Sequence, residues 1–278
     1  MRPIRSSVIA IVTASALLLA GCSSSTGADG PLALLEPGTL KVCLYPGFAP
    51  FASKDGNDLV GWDVDYLKSF SDEQGLVFQP VEVADFKDIW LRPGRGECDI
   101  AATGISMTPA RTEQLGSGAQ WTDRYYSVAR SFAVRAGTEL SGVDDLAGRT
   151  VIVTKGSTAD IDLTNRLANA GITDTTITYV TDEADGARQV VEAGPDGPIA
   201  YGGGQGSIET LTTQVPNLEI AWVHCLMEAD GSISSEPFGF AVRSASTGLG
   251  EALNSFMSDP ANAYPGGNGS GTDCSTGK

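Results

Sequence analysis

The sequence predicts an α/β protein whose two lobes face each other across a cleft. Three observations predict it. Strand-like and helix-like segments alternate from Thr39 onward, the alternation falls into two series (one before Ser131, one after Asp145), and two matching strands, Ser131-Phe-Ala-Val-Arg135 and Gly239-Phe-Ala-Val-Arg243, bracket the second series. Alternation of this kind builds βα units with largely parallel sheets. Bracketing strands imply a chain that crosses between lobes twice, with the ligand cleft at the carboxyl ends of the strands. The 278 residues, 41% of them hydrophobic, suffice for two lobes of roughly 100 residues each and exclude a disordered chain.

Residues 1–21 predict a signal peptide. Arg2 and Arg5 supply a positive start, and Val8 to Ala20 is an apolar run too short to span a bilayer. Leu19-Ala20-Gly21-Cys22 resembles a bacterial lipobox, which implies cleavage before Cys22 and acylation of its thiol. Two or more acyl chains there would anchor the protein stably at the outer face of the cell membrane. Residues 22–37 then form the acylated cysteine and a flexible polar tether. Removing the segment that holds Arg2 and Arg5, and no acid, takes the net charge from -16 to -18. A surface that negative repels phosphate backbones and excludes nucleic acid as a partner.

Residues 38–128 form the expected first lobe. Leu40 to Tyr45 is a strand that stops at Pro46; Asp63 to Gln74 is a helix with Val64, Leu67 and Phe70 on one face; Val77 to Val83 is a strand. Phe86 to Leu91 reads as a short helix, Cys98 to Ala102 as a third strand, and a further helix starts near Thr108. Asp63 and Asp65 open their helix, where macrodipole and capping favour carboxylates, so both read as structural. Residues 129–237 form the second lobe. Arg149 to Thr154 is a strand, and Ser157 or Thr158 caps a helix running to about Ala170. Thr176 to Val180 and Pro198 to Tyr201 are strands, Ala184 to Ala193 a helix between them, and Ile220 to His224 a later strand. Residues 238–258 return to the first lobe, and the Gly/Ser-rich residues 259–278 read as a flexible tail.

Export permits disulfides. Cys43 and Cys98 lie in apolar strand-like runs, where a small buried hydrophobe and a paired cysteine are both open. Cys274 lies in a tail that nothing else holds down, which favours a Cys225–Cys274 disulfide. His224 is the sole histidine; it sits within a strand, and no metal-ligand cluster or nucleophile motif accompanies it. That argues against an enzyme and against a cofactor.

Four collinear segments carry a family resemblance. They are Tyr45-Pro-Gly-Phe-Ala-Pro-Phe51; Gly61-Trp-Asp-Val-Asp-Tyr66; Asp99 to Arg111 followed by Trp121-Thr-Asp-Arg-Tyr-Tyr126; and Glu236-Pro-Phe-Gly-Phe-Ala-Val-Arg243. From about Gly38 to Met257 the chain resembles the family 3 extracellular solute-binding proteins, the polar amino-acid receptors of ABC importers. The resemblance implies a two-lobe periplasmic-binding-protein-like (type II) fold. It also implies a monomer that binds a small polar solute, a carboxylate, and hands it to a membrane permease.

Gly104 follows a strand, so its N–H approaches a ligand without a side chain in the way. Ser106 adds a hydroxyl, and Arg111 a planar fork that grips a carboxylate. Gly156-Ser157-Thr158 sits where a strand meets a helix N-terminus, a place suited to an anion. By the resemblance, Phe48 stacks over the ligand and Phe86 forms a wall. The family's ammonium-binding aspartate is missing. Pro198-Ile-Ala-Tyr201 is followed by Gly202-Gly203-Gly204-Gln205-Gly206, and Gly203 in that run completes the expected ligand-contact set. A buried ammonium needs compensation, for which Gln205, Glu209 and Asp182 are the candidates. Two other functions compete: a lipoprotein that senses solute or binds a partner without transport, and a dehydratase- or lyase-like enzyme on the same fold.

Overall fold

The computed structural model describes residues 32–269 and Cys274. Residues 1–21, expected to be a signal peptide, and Cys22, expected to carry lipid, lie outside the described residues.

The first lobe begins with β1 (Thr39–Leu44), a short hairpin of β2 (Ser53–Asp55) and β3 (Asp58–Val60), α1 (Trp62–Glu73) and β4 (Val77–Glu82). It continues with β5 (Ile100–Ala102), α2 (Pro109–Leu115) and β6 (Ala119–Trp121). The chain then crosses on β7 (Tyr126–Val128) into β8 (Arg130–Arg135), β9 (Thr150–Thr154), α3 (Thr158–Ala170), β10 (Thr176–Val180) and α4 (Glu183–Glu192). The second lobe closes with β11 (Ala200–Gly204), α5 (Gln205–Gln214), β12 (Leu218–His224) and the pair β13 (Leu226–Met227) and β14 (Ile233–Ser234). The return runs along β15 (Glu236–Phe238) into β16 (Ala241–Arg243) and α6 (Leu249–Ser258).

Each lobe has its own five-stranded sheet, in the orders β4-β1-β5-β16-β6 and β10-β9-β11-β8-β12. The sheets share one plan. Four strands run in one direction, and the single reversed strand, β16 or β8, is the first the chain lays down after crossing between lobes. The crossings are β7 and β15, paired antiparallel with Glu236 opposite Val128. Local chemistry sets several boundaries. The Thr108, Ser157 and Asp182 side chains cap α2, α3 and α4, and Gly171 ends α3 in a left-handed conformation (φ 70°).

Three expectations need correction, and one alternative left open is decided. Phe86 to Leu91 is not a continuous short helix: Asp88 takes a left-handed φ of 63°, and only Ile89–Leu91 forms a 3-10 turn. The glycine run does not follow the strand but belongs to it, because β11 extends through Gly204 and α5 starts immediately after. A Cβ on Gly202 would stand 3.0 Å from the Phe132 ring, and one on Gly203 would stand 3.1 Å from Ile208. Glycine therefore lets this strand pack closely, and the run is not free space for a bulky ligand. Residues 259–269 are not a loose tail. Tyr264 is buried in the first-lobe core, and Gly266 lies against Trp62. Finally, Cys43 and Cys98 are joined by a disulfide with Cα atoms 5.8 Å apart. Cys225 and Cys274 form a second, with Cα atoms 5.6 Å apart.

Candidate functional site

The carboxyl ends of β5, β9 and β11 converge between the lobes. At the end of β5 the backbone turns through Thr103 (φ 107°) and Gly104 (φ 54°). Positive φ is strained for threonine, and Asp63 holds the turn. Its fully buried carboxylate accepts the Thr103 N–H at 3.0 Å, the Gly104 N–H at 2.8 Å, and the hydroxyls of Tyr125 at 3.1 Å and Tyr264 at 2.6 Å. Burial raises the Asp63 carboxyl to about 6 although these four donors pull it down. Asp63 is thus structural, and the docked residue Tyr264 is part of what it binds. The Gly104 N–H is consequently not a free donor, which corrects the role expected for it.

The innermost compartment of the cleft between the lobes has a volume of about 20 Å³, room for roughly one water. Phe48, Phe86, Gly104, Ser157, Thr158 and Gly203 line it, with Phe51, Arg130, Glu183, Tyr201, Ser207 and Phe238. Ser106 and Arg111 adjoin it through hydrogen bonds. Phe48 meets Phe86 at 4.6 Å between ring centres and Tyr45 edge-on at 5.2 Å, which builds an aromatic wall.

The lobes touch across the cleft at several points. The Tyr45 hydroxyl donates to the Thr181 carbonyl, and the Glu183 N–H donates to the Gly47 carbonyl at 3.3 Å. Arg111 is 2% exposed and lies over the Phe86 and Trp90 rings at 5.4 and 4.3 Å. It donates from Nη1 to the Ser106 carbonyl at 3.1 Å and from Nη2 to the Gly156 carbonyl of the other lobe at 3.2 Å, while its Nε has no partner. No ion pair among the described residues involves it. Burial lowers this guanidinium to about 10.

Glu236, on a crossing strand, ties both lobes together. Its Oε1 accepts from the hydroxyls of Ser106 in the first lobe and Thr158 in the second. Its Oε2 lies 2.7 Å from Arg130 Nε. The N–H is not aimed at that oxygen, so the attraction is coulombic rather than a hydrogen bond. The hydroxyls expected to meet a ligand are therefore engaged by the protein's own carboxylate in this closed arrangement.

None of the three residues considered for the cation lines the innermost compartment, although Asp182 lines a wider opening of about 440 Å³ between the lobes with Tyr45, Lys54 and Glu183. Gln205 and Glu209 bond each other at 2.9 Å on α5, and exposed Asp182 caps α4. Their neighbour Glu183 does line the innermost compartment. It is 4% exposed, Oε1 accepts the Tyr201 hydroxyl at 3.0 Å, and Oε2 makes no hydrogen bond of good geometry. Burial pushes its carboxyl up to about 8. A legible signal existed: Glu183, Ala187 and Val190 fall at i, i+4 and i+7, a carboxylate on an apolar stripe. Arg130 and Glu236 also escaped the sequence reading, since each acquires its role only from partners far away along the chain.

His224 lies on the far side of the second lobe. Its Nε2 contacts Asp162 at 2.8 Å, Arg166 bonds both Asp162 oxygens at 3.0 Å, and Cys225 of the second disulfide follows. That is a packing network, away from the cleft. Among the described residues no group of three or more His, Cys, Asp or Glu is placed to hold a metal, and no helix is long and apolar enough to cross a membrane.

The sequence profile of the bacterial extracellular solute-binding proteins, family 3, matches residues 40–261. The arginine-binding extracellular protein ArtP of Bacillus subtilis is 27% identical over 150 residues, 51% of this chain and 55% of its own length. Membrane-bound lytic murein transglycosylase F of Maricaulis maris is 22% identical over 254 residues, 90% of this chain and 52% of its own length. The chain thus spans about half the length of these curated relatives. Among solved structures, the arginine-bound form of truncated ArgBP from T. maritima superposes with a TM-score of 0.65 at 24% identity, covering 78% of this chain and 94% of that one. An ancestral arginine-binding protein bound to arginine gives 0.67 at 24% identity, covering 79% and 91%. These likenesses show the two-lobe fold of periplasmic binding proteins of type II. With a family profile covering most of its length, two lobes of one plan and a cleft between them, the chain belongs to the bacterial extracellular solute-binding proteins, family 3.

Proposed function

We propose that this protein is exported, held at the outer face of the membrane by lipid on Cys22, and captures a small polar solute with a carboxylate, an amino acid or a close relative, for delivery to an ABC importer. The observation that carries the reading is Arg111, a guanidinium buried at the lobe interface with no carboxylate paired to it among the described residues. A buried cation without an anion is costly, and a solute carboxylate supplies one in planar, bidentate form. Phe48, Phe86, Ser157 and Thr158 frame the same cleft. The lobes must part to admit such a solute, because the innermost compartment of about 20 Å³ holds none. Reclosure around it yields a distinct state for a permease to recognise. The names of relatives point the same way, and Leu19-Ala20-Gly21-Cys22 with its polar tether supports the anchor.

The test is calorimetry and thermal shift against amino acids and simple carboxylates. A solute at about 100 times its dissociation constant should raise stability by about 2.7 kcal/mol. Arg111→Ala should lose most of the affinity for that solute, and unchanged affinity removes Arg111 from the site. Silence of the folded protein across the panel favours the sensing or partner-binding lipoprotein instead. One observation favours an enzyme: a carboxyl raised to about 8 in a cleft, as Glu183 is, suits a general acid. The transglycosylases, however, match over only about half their length. Clearing of a peptidoglycan suspension by the purified protein, abolished in Glu183→Gln, would establish that reading.

A further inference from the structure

We propose that Glu183 receives a cationic nitrogen of the bound solute, so that the site selects ligands carrying both a carboxylate and a positive charge. This rests on the solute-binding reading above and adds a second point of attachment to it.

The geometry carries the assignment. Glu183 stands at the start of α4 with its side chain turned into the same cleft that Phe48, Phe86 and Ser157 line. One carboxyl oxygen is engaged by Tyr201; the other is buried and makes no hydrogen bond of good geometry among the described residues, with the Ser207 hydroxyl also facing the carboxyl. A buried acceptor left unmade costs free energy that an arriving donor recovers. The charges balance in the same sense. Arg130 and Glu236 form an ion pair, whereas the Arg111 guanidinium and the Glu183 carboxyl have no ion-pair partner among the described residues. A solute with one negative and one positive group satisfies both.

The groups facing Glu183 come from four elements and the opposite lobe. They are the Tyr201 hydroxyl on β11, the Ser207 hydroxyl on α5, Arg130 on β8, Asp182 at the cap of its own helix, and Tyr45 from the first lobe. Desolvation outweighs the help of Tyr201, Ser207 and Arg130, so the unliganded carboxyl stays protonated at neutral pH. A cationic nitrogen reverses the balance. On binding, the carboxyl O–H bond breaks, the proton passes to the buffer, and the carboxylate accepts the solute's N–H.

The experiment measures dissociation constants for three pairs: L-glutamine with glutaramate, which lacks the amine; L-arginine with 5-guanidinopentanoate; and 5-guanidinopentanoate with glutaramate. For the wild type we expect the member with the additional cationic nitrogen in at least one pair to bind about a hundredfold more tightly, the scale of a hydrogen bond to a charged group. In Glu183→Gln that ratio should collapse to near one, and Glu183→Asp should restore part of it. The pair that responds tells whether the nitrogen is the α-ammonium or a side-chain guanidinium. Calorimetry at pH 7 in buffers of different ionisation enthalpy should show close to one proton released by the wild type and none by Glu183→Gln. A ratio that survives in Glu183→Gln, or binding without proton release, overturns the assignment while leaving the receptor reading intact. Failure of all these compounds, and of the wider panel of amino acids and simple carboxylates, to bind the folded wild type overturns both.

Discussion

Glu236 offers the sharpest test of how the two lobes are joined. Its carboxylate is 1% exposed, accepts one hydroxyl from each lobe, and lies 2.7 Å from the guanidinium of Arg130, itself 5% exposed. Glu236→Ala strands that guanidinium in the interior and leaves the Ser106 and Thr158 hydroxyls without their acceptor. Removing one partner of a buried ion pair costs about 3–5 kcal/mol. At about 2–4 °C per kcal/mol for a chain of this size, the melting temperature should fall by roughly 6–20 °C. Glu236→Gln keeps the shape and an oxygen acceptor but loses the charge, so its loss should be smaller, about 1.5–3 kcal/mol. Replacing both partners, as Arg130→Met with Glu236→Leu, strands no charge and should recover much of the deficit. Thermal unfolding followed by circular dichroism at pH 7 reads all three. The order matters more than any single value: Ala worst, Gln intermediate, the double replacement mildest. A Glu236→Ala protein that melts within 2 °C of wild type, or a double variant as unstable as the alanine, would refute the reasoning.

Three further outcomes follow from the same geometry. Replacing Cys43 and Cys98 by alanine opens a loop of 55 residues and should cost about 4 kcal/mol in urea unfolding, less if the reduced chain retains structure. Glu183 is raised from 4.5 to about 8, so the unfolded chain loses this proton before the folded one does. Its contribution to stability is therefore fully present below about pH 4.5 and is lost progressively as pH rises to about 8; urea midpoints across that window should decline less steeply in Glu183→Gln than in wild type. Gly203→Asp would drive a Cβ to 3.1 Å from Ile208 and 3.2 Å from Tyr201, so it should destabilise by about 1–3 kcal/mol and gain no affinity for amino acids. A stable Gly203→Asp protein with tighter binding would contradict the close packing described for β11.

The first disulfide, the docked Tyr264 and the Glu236 junction show where reading along the chain stops. Strand and helix periodicity is a local property, and so are the caps at Thr108, Ser157 and Asp182, because each side chain bonds a backbone N–H three residues on. The residues themselves thus determined the α/β alternation, the two series and the place of the cleft at the strand ends. Which groups face one another across that cleft depends on contacts between residues far apart. Asp63 and Tyr264 are separated by 201 positions, and Ser106 and Glu236 by 130. No periodicity encodes such a pairing. Gly104 therefore looked like an open donor until the fold set the Asp63 carboxylate beneath it, and residues 259–269 looked loose until Tyr264 reached the same carboxylate. Glu183 lies between these cases. Its spacing with Ala187 and Val190 already put a carboxylate on an apolar face, and only the packing of α4 against β11 turned that face toward the cleft and left one oxygen without a hydrogen bond of good geometry.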